Sequence, residues 1–456
     1  MIKILRPDHR LEIKDNQISL VNINFNNVSY PIDWLTAFVL SLHDGYNSEK
    51  NISEIINELF PNKIKMTKRI LTDSRRFLMN VEMAKTHWNI PFPIYDSKMF
   101  LHPDYIKPIT LKQVRSPAPV VVSLHLTNNC IRQCLYCSSE SKSARKIEAD
   151  ALPFEKLIDV LHQSFLMAVD GILLTGGEPL LREDVYDLIE YALNSNMFVR
   201  LITKAPLDRD RLKKIHSRRL YLTLSIDSHM PNIANALAVS DTFYNDFKTN
   251  VEMLNEIDIP FDITYVLTKM NYHHATESIK HLINLGANTI ATTHYAVGAD
   301  HKADKRIYLT DDEKEALDSK LRQFIDDNKL ESKVSHAPLN PSVSVENSLE
   351  AHQCGAGYIR IVINGKGEYV FCEKLHDSAQ FDLGNIYDKE IISLWYSDDL
   401  LKLIYPNQSQ YKNTICGKCN DFVQCRAKNS CYYASLEQYG TLYRAVKEVE
   451  NVCFKK

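Results

Sequence analysis

Ten cysteines carry the first chemical information in this chain. Cys130, Cys134 and Cys137 lie on one short stretch, separated by three and then two residues. No cysteine precedes them, and none follows for more than 200 residues. Then come Cys354, Cys372, Cys416, Cys419, Cys425, Cys431 and Cys453. The start, MIKILRPDHR, has no apolar core and no small-residue cleavage site, so a secreted disulfide framework is not expected. Clustered thiolates in a reducing compartment bind zinc or iron–sulfur. A cubane 4Fe–4S cluster takes four thiolates, so three from one loop leave one iron open to a small chelating ligand. Structural zinc wants a fourth protein ligand, which His125 could supply from inside the preceding strand. Iron–sulfur is the preferred reading of the triplet.

The elements around the triplet place it where ligands bind. From Pro119 onward the pattern alternates strands and helices. Strand candidates are 120–127, 171–175, 197–203, 220–226, 261–268 and 289–295, with amphipathic helices such as 154–167 and 185–193 between them. Six strands with helical crossovers predict an α/β fold with a parallel sheet, open or partly closed into a barrel. Ligands in such folds sit at the carboxyl ends of the strands. The triplet begins just beyond the first of them.

Two further strand ends carry matching signals. Thr175-Gly176-Gly177-Glu178-Pro179 ends the second strand, and Leu224-Ser225-Ile226-Asp227 ends the fourth. The triplet with Tyr136 before its third cysteine, the GGEP run and the Ser-Ile-Asp run together resemble the radical S-adenosylmethionine superfamily over about residues 119–300. The resemblance implies a partial (β/α)6 barrel. It implies that Cys130, Cys134 and Cys137 hold the catalytic site cluster. It further implies that Tyr136, Thr175, Gly176, Gly177, Glu178, Thr203, Ser225 and Asp227 surround S-adenosylmethionine, with the GGEP segment gripping its amino group. Two departures stand out. Where members often carry an arginine after the Ser225 position, this chain has Ala236-Leu237-Ala238, and the usual Thr-Asn-Gly is Thr203-Lys204-Ala205. Lys204 either supplies the missing positive charge or is a surface lysine.

The second set of cysteines, with Gly367-x4-Cys372, resembles the SPASM extension of peptide-modifying radical enzymes. By that pattern Cys416, Cys419, Cys425 and Cys453 hold one auxiliary cluster, and Cys354, Cys372 and Cys431 the other. The spacing before Cys431 is longer than the family's. With the site cluster this implies three 4Fe–4S clusters. The second auxiliary cluster is one protein thiolate short, and His352, Asp377 or a substrate thiol are candidates for the gap.

Residues 1–90 read as a separate small module, with strand-like pieces at 2–5, 11–14, 18–23 and 28–30 followed by three helices. The order, with Arg6-Pro7 at the start and Leu42-His43-Asp44-Gly45 after the first helix, looks like a recognition element for the leader of a ribosomally made precursor. The other reading is an ordinary winged-helix fold that binds DNA. Lys63, Lys65, Lys68, Arg69, Arg75 and Arg76 oppose one acid, Asp73, across 63–76, either as a solvated face or as a groove wall for an acidic leader. Proline-rich residues 91–118 link this module to a radical core at 119–305. A helical connection at 306–350 leads to a SPASM domain at 351–456.

The formal charge of −3, from 54 basic and 57 acidic residues, lacks the basic excess of a generic nucleic-acid binder. No apolar run is long enough to span a bilayer, so a cytoplasmic protein is expected, without nucleic-acid or membrane partners. The whole arrangement resembles sactipeptide and ranthipeptide maturases, which form sulfur-to-carbon thioether crosslinks. The implied partners are a precursor peptide, bound by its leader, and an electron donor such as a flavodoxin or ferredoxin. A carbon–carbon crosslinker, a peptide epimerase and a sulfatase-type maturase share most motifs. A zinc-held DNA-binding scaffold is the non-enzymatic alternative.

Overall fold

A computed structural model describes residues 2–6, 9–14, 17–22, 28–61, 64–80, 95, 97–100, 118–137, 142–144, 146–167, 169–295, 306–337, 355–375, 381–404, 406–419, 422 and 431–444. Residues 91–94 and 101–117 of the linker lie outside these segments, as do Lys63, Cys354, Cys425, Cys453, His352 and Asp377.

The amino-terminal module holds two small antiparallel sheets. One has the order β5-β1-β6, from β1 (Ile2–Leu5), β5 (Asp44–Ser48) and β6 (Leu78–Asn80). The other is the meander of β2 (His9–Lys14), β3 (Gln17–Asn22) and β4 (Val28–Pro31). The three expected helices are present as α1 (Trp34–Ser41), α2 (Glu49–Leu59) and α3 (Ile64–Asp73), the third stopping short of Met79, which lies in β6. Asp33 caps α1 by accepting from the amides of Leu35 and Thr36, both at 3.0 Å. Leu35, Phe38 and Val39 of α1 join Leu11, Leu20, Ile52 and Phe60 in a core of the module's own. Asp44-Gly45, just after α1, opens β5, because β1 offers that segment an edge to pair with.

From residue 121 the chain builds one nine-stranded sheet. Its strands are β7 (Val121–His125), β10 (Gly171–Thr175), β11 (Phe198–Thr203), β12 (Leu220–Ser225), β13 (Phe261–Leu267), β14 (Ile290–His294), β15 (Val334–Ala337), β16 (Arg360–Ile363) and β17 (Tyr369–Val370). A two-residue ladder, β8 (Asn129–Cys130) with β9 (Lys142–Ser143), lies outside it. The order β15-β14-β13-β12-β11-β10-β7-β16-β17 is parallel throughout except for β17. This is the expected mostly parallel α/β fold, with the six anticipated strands in place. Three strands join it that the sequence did not reveal: β15, and β16 and β17 from the cysteine-rich carboxyl-terminal part. Because β16 pairs with β7, that part packs on the sheet directly. Trp395, Phe371 and Tyr432 share one buried core with Leu124, Leu174 and Leu201.

Side chains alternate across this sheet. Val122, Leu124, Leu174, Leu201 and Leu222 face the helices and form the core. Ser123, His125, Arg200, Thr223 and Ser225 take the opposite face by register. Helices α4 (Phe154–Leu166), α5 (Val185–Asn194), α6 (Arg209–Ile215), α7 (Pro231–Ala238), α8 (Phe243–Glu256), α9 (Ala275–Asn284) and α10 (Asp311–Asp327) supply the crossovers.

The β15 edge is fastened by a buried polar clasp. Asp318 of α10 bonds His294 of β14 at 2.5 Å and His336 of β15 at 2.9 Å, and Thr292 bonds His336 at 2.8 Å. Burial pushes the Asp318 carboxyl up, but the two histidines outweigh it and hold it down to about 2 from 3.8. A folded value below the unfolded one stabilises the fold fully above pH 3.8, and the gain is lost as pH falls through about 2. Asp318→Ala strands both imidazoles, and we expect it to cost about 3 kcal/mol of stability. Thermal unfolding near neutral pH checks this. An unchanged midpoint contradicts the clasp.

Candidate functional site

The triplet loop and the GGEP loop are built as one unit. The amides of Gly177 and Glu178 donate to the carbonyls of Thr127 and Asn129, at 2.6 and 2.8 Å. A Cβ on Gly176, where φ is +126°, would stand 2.6 Å from the Thr127 carbonyl oxygen. One on Gly177 would stand 2.0 Å from that of Asn129. Both glycines are thus required by backbone packing against the cysteine loop. Glu148 supports that loop from below, accepting from the Asn128 amide at 2.8 Å and from the Thr127 hydroxyl.

Three sulfurs then leave this one loop, none in a disulfide. Burial pushes the Cys130 thiol up to about 12 and raises that of Cys134, against the pull of Lys204. Buried thiols of this kind ionise readily only when they ligate a metal. Three soft donors on one glycine-backed loop therefore fit an iron–sulfur cluster with one open iron.

Glu178 is 2% exposed. Its carboxylate accepts from the Thr203 hydroxyl at 2.6 Å, the Lys204 amide at 3.0 Å and the Leu180 amide at 3.1 Å. Burial raises its pKa, and these three donors work against the rise. The bonds tie the end of β11 to the GGEP loop.

The Lys204 side chain is only 13% exposed and turns into the site rather than standing on the surface. Its ammonium lies 3.0 Å from Asp227 Oδ2 and 3.3 Å from the Ser225 carbonyl. It sits over the rings of Phe243 and Tyr136, at 4.7 and 5.3 Å from their centroids. Asp227 is 1% exposed and also accepts from the Tyr136 hydroxyl and from the Val266 amide at 2.8 Å. Burial alone would lower the Lys204 pKa, but Asp227 and the Cys134 sulfur reverse that and keep it charged. The carboxyl ends of β7, β10, β11 and β12 therefore bring together Cys130, Cys134, Cys137, Tyr136, Thr175, Gly176, Gly177, Glu178, Thr203, Ser225 and Asp227.

Sequence reasoning passed over Arg132, inside the triplet. Its guanidinium bonds Ser240 and Asp246, each at 2.5 Å, and lies 5.4 Å from the Phe243 ring centroid. The Leu135 amide donates to the Leu237 carbonyl at 2.9 Å, so the Ala-Leu-Ala segment reaches the cysteine loop through its backbone. Arg132 was overlooked because its partners are more than 100 residues away.

His125 does not turn toward the triplet to complete a zinc site. It stands on the face opposite the helices, with Nε2 3.9 Å from Glu373 Oε1, an ion-pair rather than a hydrogen-bond distance. Arg360 Nη1 lies 3.3 Å from the same oxygen. Burial works against the Glu373 charge, and the imidazole of His125 and then the guanidinium of Arg360 outweigh it, holding the carboxyl down to about 2. Glu373 directly follows Cys372.

Of the carboxyl-terminal cysteines, Cys372, Cys416, Cys419 and Cys431 lie among the described residues, none in a disulfide. Gln408 Nε2 braces the tight pair, donating to the carbonyls of Cys416 and Cys419 at 2.9 and 2.7 Å. Cys431 caps α11 (Tyr432–Tyr439), accepting from the Ala434 amide at 3.4 Å.

Residues 124–282 match the model of the radical SAM superfamily, and residues 354–420 match that of the SPASM iron–sulfur cluster-binding domain. The PqqA peptide cyclase of Bradyrhizobium diazoefficiens is 25% identical over 177 residues, which are 38% of this chain and 45% of that protein. This chain thus spans about half the length of that cyclase. The AdoMet-dependent heme synthase of Methanosarcina barkeri is 22% identical over 68% of this chain and 92% of its own. The fold matches Streptococcus suis SuiB bound to precursor peptide SuiA, with a TM-score of 0.68 and 18% identity, over 99% of this chain and 100% of that one. It also matches anSMEcpe with bound AdoMet, with a TM-score of 0.54 and 18% identity, over 73% and 96%. Among the described residues no helix is long and apolar enough to cross a membrane.

Proposed function

We propose that this radical SAM enzyme, with its SPASM domain, matures a ribosomally made peptide by closing a thioether between a cysteine sulfur and a carbon of the precursor. Its cofactors are S-adenosylmethionine and iron–sulfur clusters. Bound together, they supply a reductively generated adenosyl fragment that removes a hydrogen atom from the substrate. One observation carries the reading: β16 places the cysteine-bearing carboxyl-terminal part beside β7, the strand that leads into the triplet.

The chain's own residues have distinct tasks. Cys130, Cys134 and Cys137 hold the site cluster. The GGEP loop, with Glu178 at its end, lines the cofactor's amino group. Ser225 and the Lys204–Asp227 pair line its ribose and carboxylate, with Lys204 in place of the arginine. Cys372, Cys416, Cys419 and Cys431 contribute, with Cys354, Cys425 and Cys453, to two auxiliary clusters. That makes three clusters in all, fed by a flavodoxin or ferredoxin in the cytoplasm.

The module at residues 1–90 binds the precursor leader. Ser29, Tyr30 and Pro31 of β4 are exposed on a sheet edge that an extended peptide can extend. Lys65, Lys68, Arg69, Arg75 and Arg76 are exposed on and just after α3. Charge reversal by Lys65→Glu with Lys68→Glu is expected to weaken precursor binding about tenfold, or about 1.4 kcal/mol, at low salt, and less at high salt. Fluorescence anisotropy of the labelled precursor reads this. Equal binding at low salt removes the basic face from the leader site.

The similarity to PqqA peptide cyclases supports a second reading, in which the new bond joins two carbons. Co-expression with a short cysteine-containing candidate precursor peptide separates the two. A thioether consumes a thiol, so one cysteine escapes alkylation by iodoacetamide. A carbon–carbon link leaves every thiol reactive.

A further inference from the structure

The β15 edge of the sheet gathers three metal-ligating side chains on one point. His294 ends β14, His336 lies on β15 and Asp318 on α10. Their side chains are 0%, 2% and 4% exposed, in that order. Both imidazoles aim Nε2 at the same oxygen, Asp318 Oδ1, at 2.5 and 2.9 Å. The three ligand atoms all lie within 4.8 Å of one another.

Hydrogen bonding alone accounts poorly for this convergence. A carboxylate offers about four acceptor positions on two oxygens. Here both rings crowd onto Oδ1, while Oδ2 accepts no hydrogen bond among the described residues. His294 Nδ1 is buried without a partner, so Nε2 is the atom that orients this ring. Two imidazole nitrogens and a carboxylate are a donor set that first-row divalent cations take.

His336 also has the outer support that metal-bound imidazoles show. Its Nδ1 lies 2.8 Å from Thr292 Oγ1, and that hydroxyl lies 3.4 Å from the Ser335 carbonyl. With the hydroxyl donating to the carbonyl, its lone pair accepts from Nδ1–H, and Nε2 is bare for a cation. An ion can reach these buried groups, because β15 is an edge strand and edges open without global unfolding.

We propose that His294, Asp318 and His336 hold a zinc ion that staples β14, β15 and α10 together. Calcium and magnesium fit less well, since they take oxygen ligands. Zinc bonds of about 2.0–2.2 Å set neighbouring ligand atoms about 3.3 Å apart, so the three atoms open by less than about 1 Å to admit the ion. Asp318 Oδ2 can fill the fourth position. The role is structural. His294 is followed by Tyr295, which packs with Leu237 and Ile307 and against Leu135 and Tyr136 of the cysteine loop. The ion therefore fixes the strand end that leads into this packing. The inference does not rest on the crosslinking reading.

The test uses full-length protein expressed with added zinc and purified anaerobically with its iron–sulfur clusters. Metal analysis is expected to find about one zinc per chain beside the iron. X-ray absorption at the zinc edge reads the neighbours. Nitrogen and oxygen at about 2.0–2.2 Å support the site, whereas sulfur alone at about 2.3 Å places the zinc on cysteines and overturns it. His336→Gln and Asp318→Asn are expected to weaken zinc binding at least about a hundredfold, more than the loss of a group that only supports a ligand, and to leave iron unchanged. Added zinc is expected to raise the thermal midpoint of zinc-depleted wild-type protein and not that of the variants. Wild-type protein that takes up no zinc, or zinc binding and a midpoint shift that survive both substitutions, overturns the proposal. Should a variant fail to fold, the zinc-edge spectrum and midpoint shift of wild-type protein decide.

Discussion

Replacing Cys130, Cys134 and Cys137 together by alanine is expected to abolish reductive cleavage of S-adenosylmethionine and to leave auxiliary iron in the protein. The physical reason is local. The three sulfurs leave one loop, and that loop is positioned by backbone bonds from Gly177 and Glu178 and by Glu148, none of which the substitutions touch. The scaffold therefore survives while the ligands vanish. Iron should fall by about four atoms per chain, one cubane cluster. Chromatography of 5′-deoxyadenosine and iron analysis read the two quantities. Cleavage persisting in the triple variant contradicts the assignment of this loop.

Replacing Lys204 by methionine is expected to weaken S-adenosylmethionine binding by about tenfold to a hundredfold, or about 1.4–2.7 kcal/mol. The ammonium is a buried cation among the triplet, Ser225 and Asp227. Methionine keeps much of the stem and removes only the charge. A variant that leaves Asp227 unpaired also loses stability, because a buried charge without its partner is costly. The double variant Lys204→Met with Asp227→Asn separates the two effects. If the lysine only neutralises Asp227, the double variant regains wild-type affinity. A double variant that stays weak is expected of a cation placed to face the cofactor's carboxylate. Isothermal titration with S-adenosylmethionine, and the change it causes in the spectrum of the reduced site cluster, read this without turnover.

The parts of the site written as short local patterns were legible from sequence. Cysteine spacing, the two glycines before Glu178 and the Ser-Ile-Asp run each sit at the end of a strand whose apolar alternation is plain. The role of the glycines was only half legible. They admit the backbone of Thr127 and Asn129, a contact set by strand pairing across some 50 residues. Lys204 stood open between surface and site, since burial depends on Phe243, which a helix brings back from downstream. The pairing of β16 with β7 and the facing of His125 to Glu373 are long-range events with no local signature. Val334–Ala337 reads as an unremarkable polar stretch, and becomes β15 because Asp318 clasps His336 against His294.

The site at the strand ends is proposed to act on a peptide held in the same molecule, and one measurement addresses this directly. Reconstituted enzyme is given S-adenosylmethionine, a reductant and the candidate precursor deuterated at its non-exchangeable positions, and the 5′-deoxyadenosine is weighed. The expected result is deoxyadenosine carrying one deuterium from the peptide, alongside a peptide that has lost it and gained a crosslink. Cleavage that yields only unlabelled deoxyadenosine, with a peptide of unchanged mass, contradicts it.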